Sequence, residues 1–343
     1  MTMAPDGPSK RKKLQDLQAL LQRGDLLAAQ DLLGQVGQGA GKPASPGSSA
    51  EEAHDDDVAG PPAEPPWPGA EEAAAEAGEP AEGLGADLPA GPLSPQQVGL
   101  ESVEDGGDAL WRLALPLGEV LPGRSDTGAR FRSVLRGAGQ QFDELAATPG
   151  LCHAANARPE EVGVLRLYAS FAEGEVEGLF ACGWLELTET GLGVQIDLAD
   201  GADGERALLA AAAERLESAG VLVTFDAAKR DWPWLKARWE ASGLAEPWAY
   251  PPELDVLAEA RARWKTRLRT RQLANLEKRL LGLDRHGEAL SDRMLACQYQ
   301  RFADTGDARH LVAVLRSIAW DLASLAELAA MLLSGEEPPG IGD

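Results

Sequence analysis

The stretch "VLVTFDAAKRDWPWL", residues 221–235, decides how the rest of the chain is read. Residues 221–225 are mostly β-branched or aromatic and suit a strand. Asp231 stands just before Trp232, Pro233, Trp234 and Leu235, where a helix begins. A short polar turn joins the two. Asp231 is therefore either an N-cap, a position at which an acceptor side chain contributes about 1 kcal/mol, or one ligand of a metal site.

Upstream of this stretch, "GERALLAAAAERLESAG" (204–220) is an Ala/Leu-rich helix closed by Gly220. Before it lie three extended segments. "VGVLRLYASF" (162–171) alternates, with Leu165, Leu167, Ala169 and Phe171 on one side and Arg166, Tyr168 and Ser170 on the other. "VEGLFACGWLELTE" is a second strand and "GLGVQIDLA" a third. Downstream, "DWPWLKARWEASG" is a helix, and a long, mostly helical region follows over 253–334. Three antiparallel strands, a helix, a parallel strand and a helix give an α/β, ribonuclease H-like mixed sheet flanked by helices.

The chain has 343 residues and a net charge of −23. Residues 37–105 hold 15 acidic residues against one basic, 11 of the 23 prolines, and Trp67 as the single aromatic. Such a composition predicts a disordered acidic linker over 37–107. Residues 1–36 read as a helical hairpin, with Leu14, Leu17, Leu20 and Leu21 on one stripe and Leu26, Leu27, Leu32 and Leu33 on another. It is a candidate docking element for a protein partner. Residues 108–160 form a lead-in, 161–334 the main domain and 335–343 a disordered tail.

The remaining chain is only mildly acidic, so DNA or RNA stays among the candidate partners. The most apolar stretch, 311–333, contains Arg316, Asp321 and Glu327 and reads as an amphipathic helix, not a membrane span. Three scattered cysteines and no secretory signal predict a reduced, cytoplasmic protein. "GQGAGKPAS" (37–45) has the wrong glycine spacing for a phosphate-binding loop.

Several segments, in order, resemble one family. "GVLVTFDAAKRDWPWLKARW", "DVLAEARARWKTRLRTRQLANLEKRLLGLDRHG" and "YQRFADTGDARHLVAVLRSIAWDLASLAELAAMLL" are similar to successive motifs of the YprB-type ribonuclease H-like family, relatives of the DnaQ-type 3′–5′ exonucleases. The resemblance covers roughly 160–334. It implies a two-metal nuclease centre with four carboxylates, binding Mg²⁺ or Mn²⁺ in active members. The third carboxylate falls on Asp231 and the fourth on Asp321. The first-strand pair falls on Tyr168 and Ser170 and is lost. The family's Asn after "TF" is Asp226, and its His-Asn before the last Asp is Ser317-Ile318.

"LELTETGL" (185–192) mimics the lost motif, but placing the first strand there leaves too few strands before the helix at 204. The resemblance thus implies a degenerate site, with Asp226, Asp231 and Asp321 as the remnant cleft, Asp231 and Asp321 at most weak metal ligands, and no cofactor. An active exonuclease would need displaced acids such as Glu173, Glu175 or Asp226 together with Mg²⁺ or Mn²⁺. A protein-interaction scaffold is the third reading.

Two further features stand out. Asp321 shares one helix face with Val314, Ile318, Leu325 and Leu328, and a carboxylate in an apolar stripe needs an arginine, a metal or a cleft. Residues 261–279 carry eight basic residues against Glu277 alone. Arg261, Arg263, Lys265, Arg267, Arg269 and Arg271 are candidate phosphate contacts, or solvated residues whose stems pack on the sheet.

Overall fold

The computed structural model describes residue 84 and residues 88–338, apart from 106–107, 139–147, 173–174, 202–203, 246–249, 265–267, 269–271, 284 and 286–289. All of them lie in the compact unit Trp67–Asp343. The expected N-terminal hairpin, the 37–45 glycine stretch and residues 339–343 lie outside the described residues.

One mixed sheet organises this unit. The expected strands form β3 (Val162–Ala172), β4 (Glu175–Thr188), β5 (Gly191–Ala199) and β6 (Val221–Thr224). β3, β4 and β5 are antiparallel, and β6 lies parallel to β3. "LELTETGL" is the β4–β5 hairpin, with Thr188 paired to Gly191 across the turn. It is not the strand beside β6.

The sheet is wider than expected. β7 (Glu253–Asp255) pairs parallel to β6 at the start of the region read as helical. β1 (Glu101–Asp105) and β2 (Asp108–Pro116) extend the other side, giving the order β1-β2-β5-β4-β3-β6-β7. This corrects the boundary drawn for the disordered linker. Leu93, Val98 and Leu100 are buried. The Leu93 N–H donates to Asp307 Oδ1 at 2.9 Å, and the Leu93 carbonyl accepts from the Ala308 N–H at 2.9 Å. A few apolar residues at the end of an acidic stretch suffice to fix it, and averaging over 37–105 hid them. Glu101 and Glu104 are exposed along the outermost strand.

The main helices are α1 (Thr127–Ala138), α2 (Pro149–Asn156), α3 (Glu205–Ser218), α4 (Asp231–Ser242), α5 (Val256–Trp264), α6 (Asp292–Thr305) and α7 (Arg309–Ser334). α7 packs on β3, β4, β5 and β6 and is flanked by α1, α5 and α6. α3 packs on β2, β4 and β5. Alternation along β4 separates the two layers: Gly183 faces α7, while Trp184 and Glu186 face Arg215 of α3. No helix among the described residues is long and apolar enough to cross a membrane.

The apolar stripe expected on α7 is buried throughout, Asp321 included. Gly183 sets how close that helix comes to the sheet. A Cβ at this position would lie 2.6 Å from Ile318 Cγ2 and 3.2 Å from Leu322 Cδ1.

Gly183→Val should therefore lift α7 from the sheet and cost about 1–3 kcal/mol, as overpacked cores do. Gly137→Ala, in helix α1 with open space around it, should leave stability unchanged or raise it slightly. Urea unfolding of both variants checks this, and equal effects would argue against close α7–sheet packing.

Candidate functional site

The carboxyl end of β3 is irregular. Tyr168 pairs with Ala181 but Ala169 pairs with Leu179, and Ser170 pairs with Gly178 but Phe171 with Val176. β4 therefore carries two bulged residues opposite this end. The Ser170 hydroxyl donates to the Gly178 carbonyl at 3.2 Å. The side carrying Arg166 and Tyr168 is buried: they are 3% and 1% exposed. Phe171, at the end of the strand, is exposed and its ring meets Trp234 of α4.

Beneath that strand end lies a buried ionic network centred on Asp321. The Tyr168 hydroxyl donates to Asp321 Oδ2 at 2.7 Å, and Arg285 Nη2 donates to Oδ1 at 2.7 Å. Arg166 Nη2 lies 3.5 Å from Oδ2. Arg285 is also held in a fork by Glu277, through Nε at 2.7 Å to Oε2 and through Nη2 to Oε1. Glu277 is fully buried and opens a π-helical turn, Glu277–Leu281, that ends on Gly282 in the left-handed region. The Arg166 guanidinium also lies over the rings of Phe225 and Tyr168.

Burial alone would raise the Asp321 carboxyl pKa. The charges of Arg285 and Arg166, with the hydrogen bonds from Tyr168 and Arg285, outweigh it and hold the group below its ordinary range. Burial and the neighbouring Asp321 charge push the Tyr168 phenol well above its ordinary value, so it remains a proton donor. Burial would weaken the charge on Arg166, but Tyr168 and the carboxylates of Asp321, Asp292 and Asp231 raise its pKa.

Asp321 pairs with Arg166, and the Asp231 charge also acts on it. Asp231 is fully buried at the start of α4 and is not the N-cap, a position held by Arg230. Its Oδ1 accepts from Arg230 Nε at 2.9 Å, and Arg230 Nη1 donates to Asp292 at 3.1 Å. Asp231 Oδ2 and Arg230 Nη2 are buried with no hydrogen-bond partner, as are Nε and Nη1 of Arg166.

Asp226 does not join them. It has φ 56°, a left-handed conformation that Asp adopts more readily than most residues. Its carbonyl accepts from the N–H groups of Lys229 and Arg230, and its own N–H donates to Asp255. Asp226 builds the turn that delivers Arg230 and Asp231. Among the described residues no three His, Cys, Asp or Glu side chains converge as a metal-ligand group.

A sheet in which the first domain strand, β3, lies between its antiparallel partner and the parallel crossover, with the last helix presenting Asp321 beneath it, is the ribonuclease H-like arrangement. Residues 171–333 match the sequence model of the RNase H superfamily. That match begins one residue past Ser170, so Tyr168 and Ser170 lie just outside it. A search of curated proteins finds no match. The network around Asp321 therefore spans both the matched region and the strand that precedes it.

Of the candidate phosphate contacts, Arg261 is half-buried, and Lys265, Arg267, Arg269 and Arg271 lie outside the described residues, as does Glu173. Arg263 has a structural task. It donates to the carbonyls of Leu332 at 3.4 Å and Gly335 at 2.5 Å, closing the C-terminus of α7. Arg285, Glu277, Arg230 and Asp292 were not singled out by the sequence reading. The available signal was Asp321 itself, whose place in an apolar stripe demands cationic partners.

Asp321→Asn should cost about 3–5 kcal/mol at neutral pH, because it strands Arg166 and Arg285 beside a neutral amide. Since the folded carboxyl pKa is depressed, its stabilisation is complete above the unfolded value near 3.9 and is lost as pH falls through the folded value. The gap between wild type and variant should therefore shrink under strongly acidic conditions. Denaturant titrations at neutral and acidic pH check this, and a gap that is constant with pH would speak against ionised Asp321.

Proposed function

We propose that this chain is a degenerate YprB-type ribonuclease H-like protein, which holds DNA or RNA or serves an accessory role without cutting it, in the cytoplasm. The observation that carries this reading is the set of contacts around Asp321. Metal-assisted phosphodiester hydrolysis needs carboxylate lone pairs turned toward divalent cations. Both Asp321 oxygens already accept, from Tyr168 and from Arg285, and Arg166 adds a third nearby group. A divalent ion at this carboxylate would sit beside two guanidiniums of like charge. These residues do not fit a two-metal centre. The fixed positive charge that metals supply in an active nuclease is supplied here by arginines.

Support for a nucleic-acid partner comes from the superfamily match and from the basic run 261–279. Backbone contact needs positive charge, not catalysis. A protein partner for the N-terminal segment completes the accessory reading.

The full chain should show no Mn²⁺-supported degradation of single- or double-stranded DNA or RNA. Robust cleavage that Asp231→Asn abolishes would overturn the reading. Combining Tyr168→Asp, Ser170→Glu and Arg285→Ala should create Mn²⁺ affinity measurable by calorimetry. A variant that folds, by circular dichroism, yet binds Mn²⁺ no better than wild type would show that these positions do not replace the metal ligands.

Nucleic-acid binding should be sequence-independent and fall steeply with salt. Arg267, Arg269 and Arg271 replaced by Gln should flatten the salt slope by at most about three contacts, roughly 0.7–0.9 each. Anisotropy titrations across salt concentrations measure that slope.

A further inference from the structure

Arg166 is poorly satisfied for a buried ion. Its Nη2 lies 3.5 Å from Asp321 Oδ2, longer than an ordinary hydrogen bond, and its Nε and Nη1 are buried with no hydrogen-bond partner. A guanidinium carries five N–H donors, and leaving them unmade away from water is costly. Asp321 does not depend on Arg166, because Tyr168 and Arg285 each donate to it at 2.7 Å.

An acceptor in the complementary condition stands at the start of α4. Asp231 is fully buried; its Oδ1 accepts from Arg230, but its Oδ2 has no partner. The charges of Asp231 and Asp292 both act on Arg166. Asp292 is already held by Arg230 Nη1 at 3.1 Å, which leaves Asp231 Oδ2 as the acceptor in need. The two rings beside the guanidinium belong one to each side. Tyr168, with its ring centre 5.6 Å away, bonds to Asp321. Phe225, at 5.5 Å, leads into the turn that delivers Asp231. Attraction to a ring face holds a cation without fixing where its N–H groups point.

We propose that Arg166 is a two-position switch, passing between Asp321 of α7 and the free oxygen of Asp231 at the start of α4. In the first position it shares Asp321 with Arg285. In the second it completes Asp231. Neither position strands an acid, because Arg285 stays with Asp321 and Arg230 stays with Asp231. The two helices are thereby coupled through one charge. Whatever draws on one acid shifts the population of Arg166 and so changes the field at the other.

High-resolution crystal structures of wild type, Asp321→Asn, Arg230→Gln and Asp231→Asn locate the guanidinium, and the Arg166 Nε–H signal in NMR spectra follows it in solution. Asp321→Asn removes the charge at the first position, and Arg230→Gln removes the present partner of Asp231. Each should bring an Arg166 nitrogen within about 3 Å of Asp231 Oδ2. Asp231→Asn should hold Arg166 at Asp321. The wild-type signal should be doubled or exchange-broadened, and it should sharpen in all three variants. If Asp321→Asn does not fold, Arg230→Gln makes the same test with Asp321 and its hydrogen bonds in place.

The coupling also has an energetic readout. The loss in folding equilibrium constant caused by Asp231→Asn should grow by roughly 2- to 150-fold when residue 321 is already Asn, since Arg166 then has neither acid. That growth should vanish in an Arg166→Met background, where direct repulsion between the two acids would still act. The switch is overturned if Arg166 keeps one position in every variant with its free nitrogens on ordered water, or if the coupling survives Arg166→Met.

Discussion

A carboxylate under a sheet, away from water, must be neutralised, and the arrangement around Asp321 follows from that requirement. An isolated buried charge would protonate or unfold its surroundings. Here Arg285, Arg166 and the Tyr168 hydroxyl share it, and Glu277 shares Arg285 in turn. These residues come from β3, from the π-helical turn, from the segment just after that turn and from α7. The network therefore ties elements far apart in sequence to one point. Its geometry depends on the close approach of α7 to β4 at Gly183, where no side chain can intervene.

Such networks contribute less net stability than their contacts suggest, because each ion loses its hydration on burial. Their stronger effect is on specificity: a misplaced α7 would leave several charges stranded. Asp321 needs positive charge wherever it is buried. Guanidiniums at Arg166 and Arg285 meet that need.

Much of this was legible in the sequence, for physical reasons that differ by element. β3 to β6 announced themselves through β-branched runs and turn residues, and α3 and α4 through their apolar pattern and helix ends. Asp321 stood out because an acid in an apolar stripe violates the local pattern. The partners did not stand out. Glu277, the single acid in a basic run, is fully buried against Arg285 eight residues on. Asp231 looked like a helix cap and proved to be a buried ion partner, a distinction that depends on the turn made by Asp226. The β4 bulges were invisible. β1 was lost for a statistical reason, since five residues of strand vanish in the average of a long acidic segment.

That outermost strand has a consequence for how copies of the protein meet in concentrated solution. An unpaired sheet edge is a template for another strand, and therefore a seed for fibres. Here the template bears Glu101 and Glu104 toward solvent. Two such edges brought together would set identical negative charges side by side, and the repulsion would grow with each further chain. The acidity that makes this end of the sequence look unfoldable thus serves, once folded, as a guard against self-assembly, and it should be least effective where salt is high or the carboxylates are protonated.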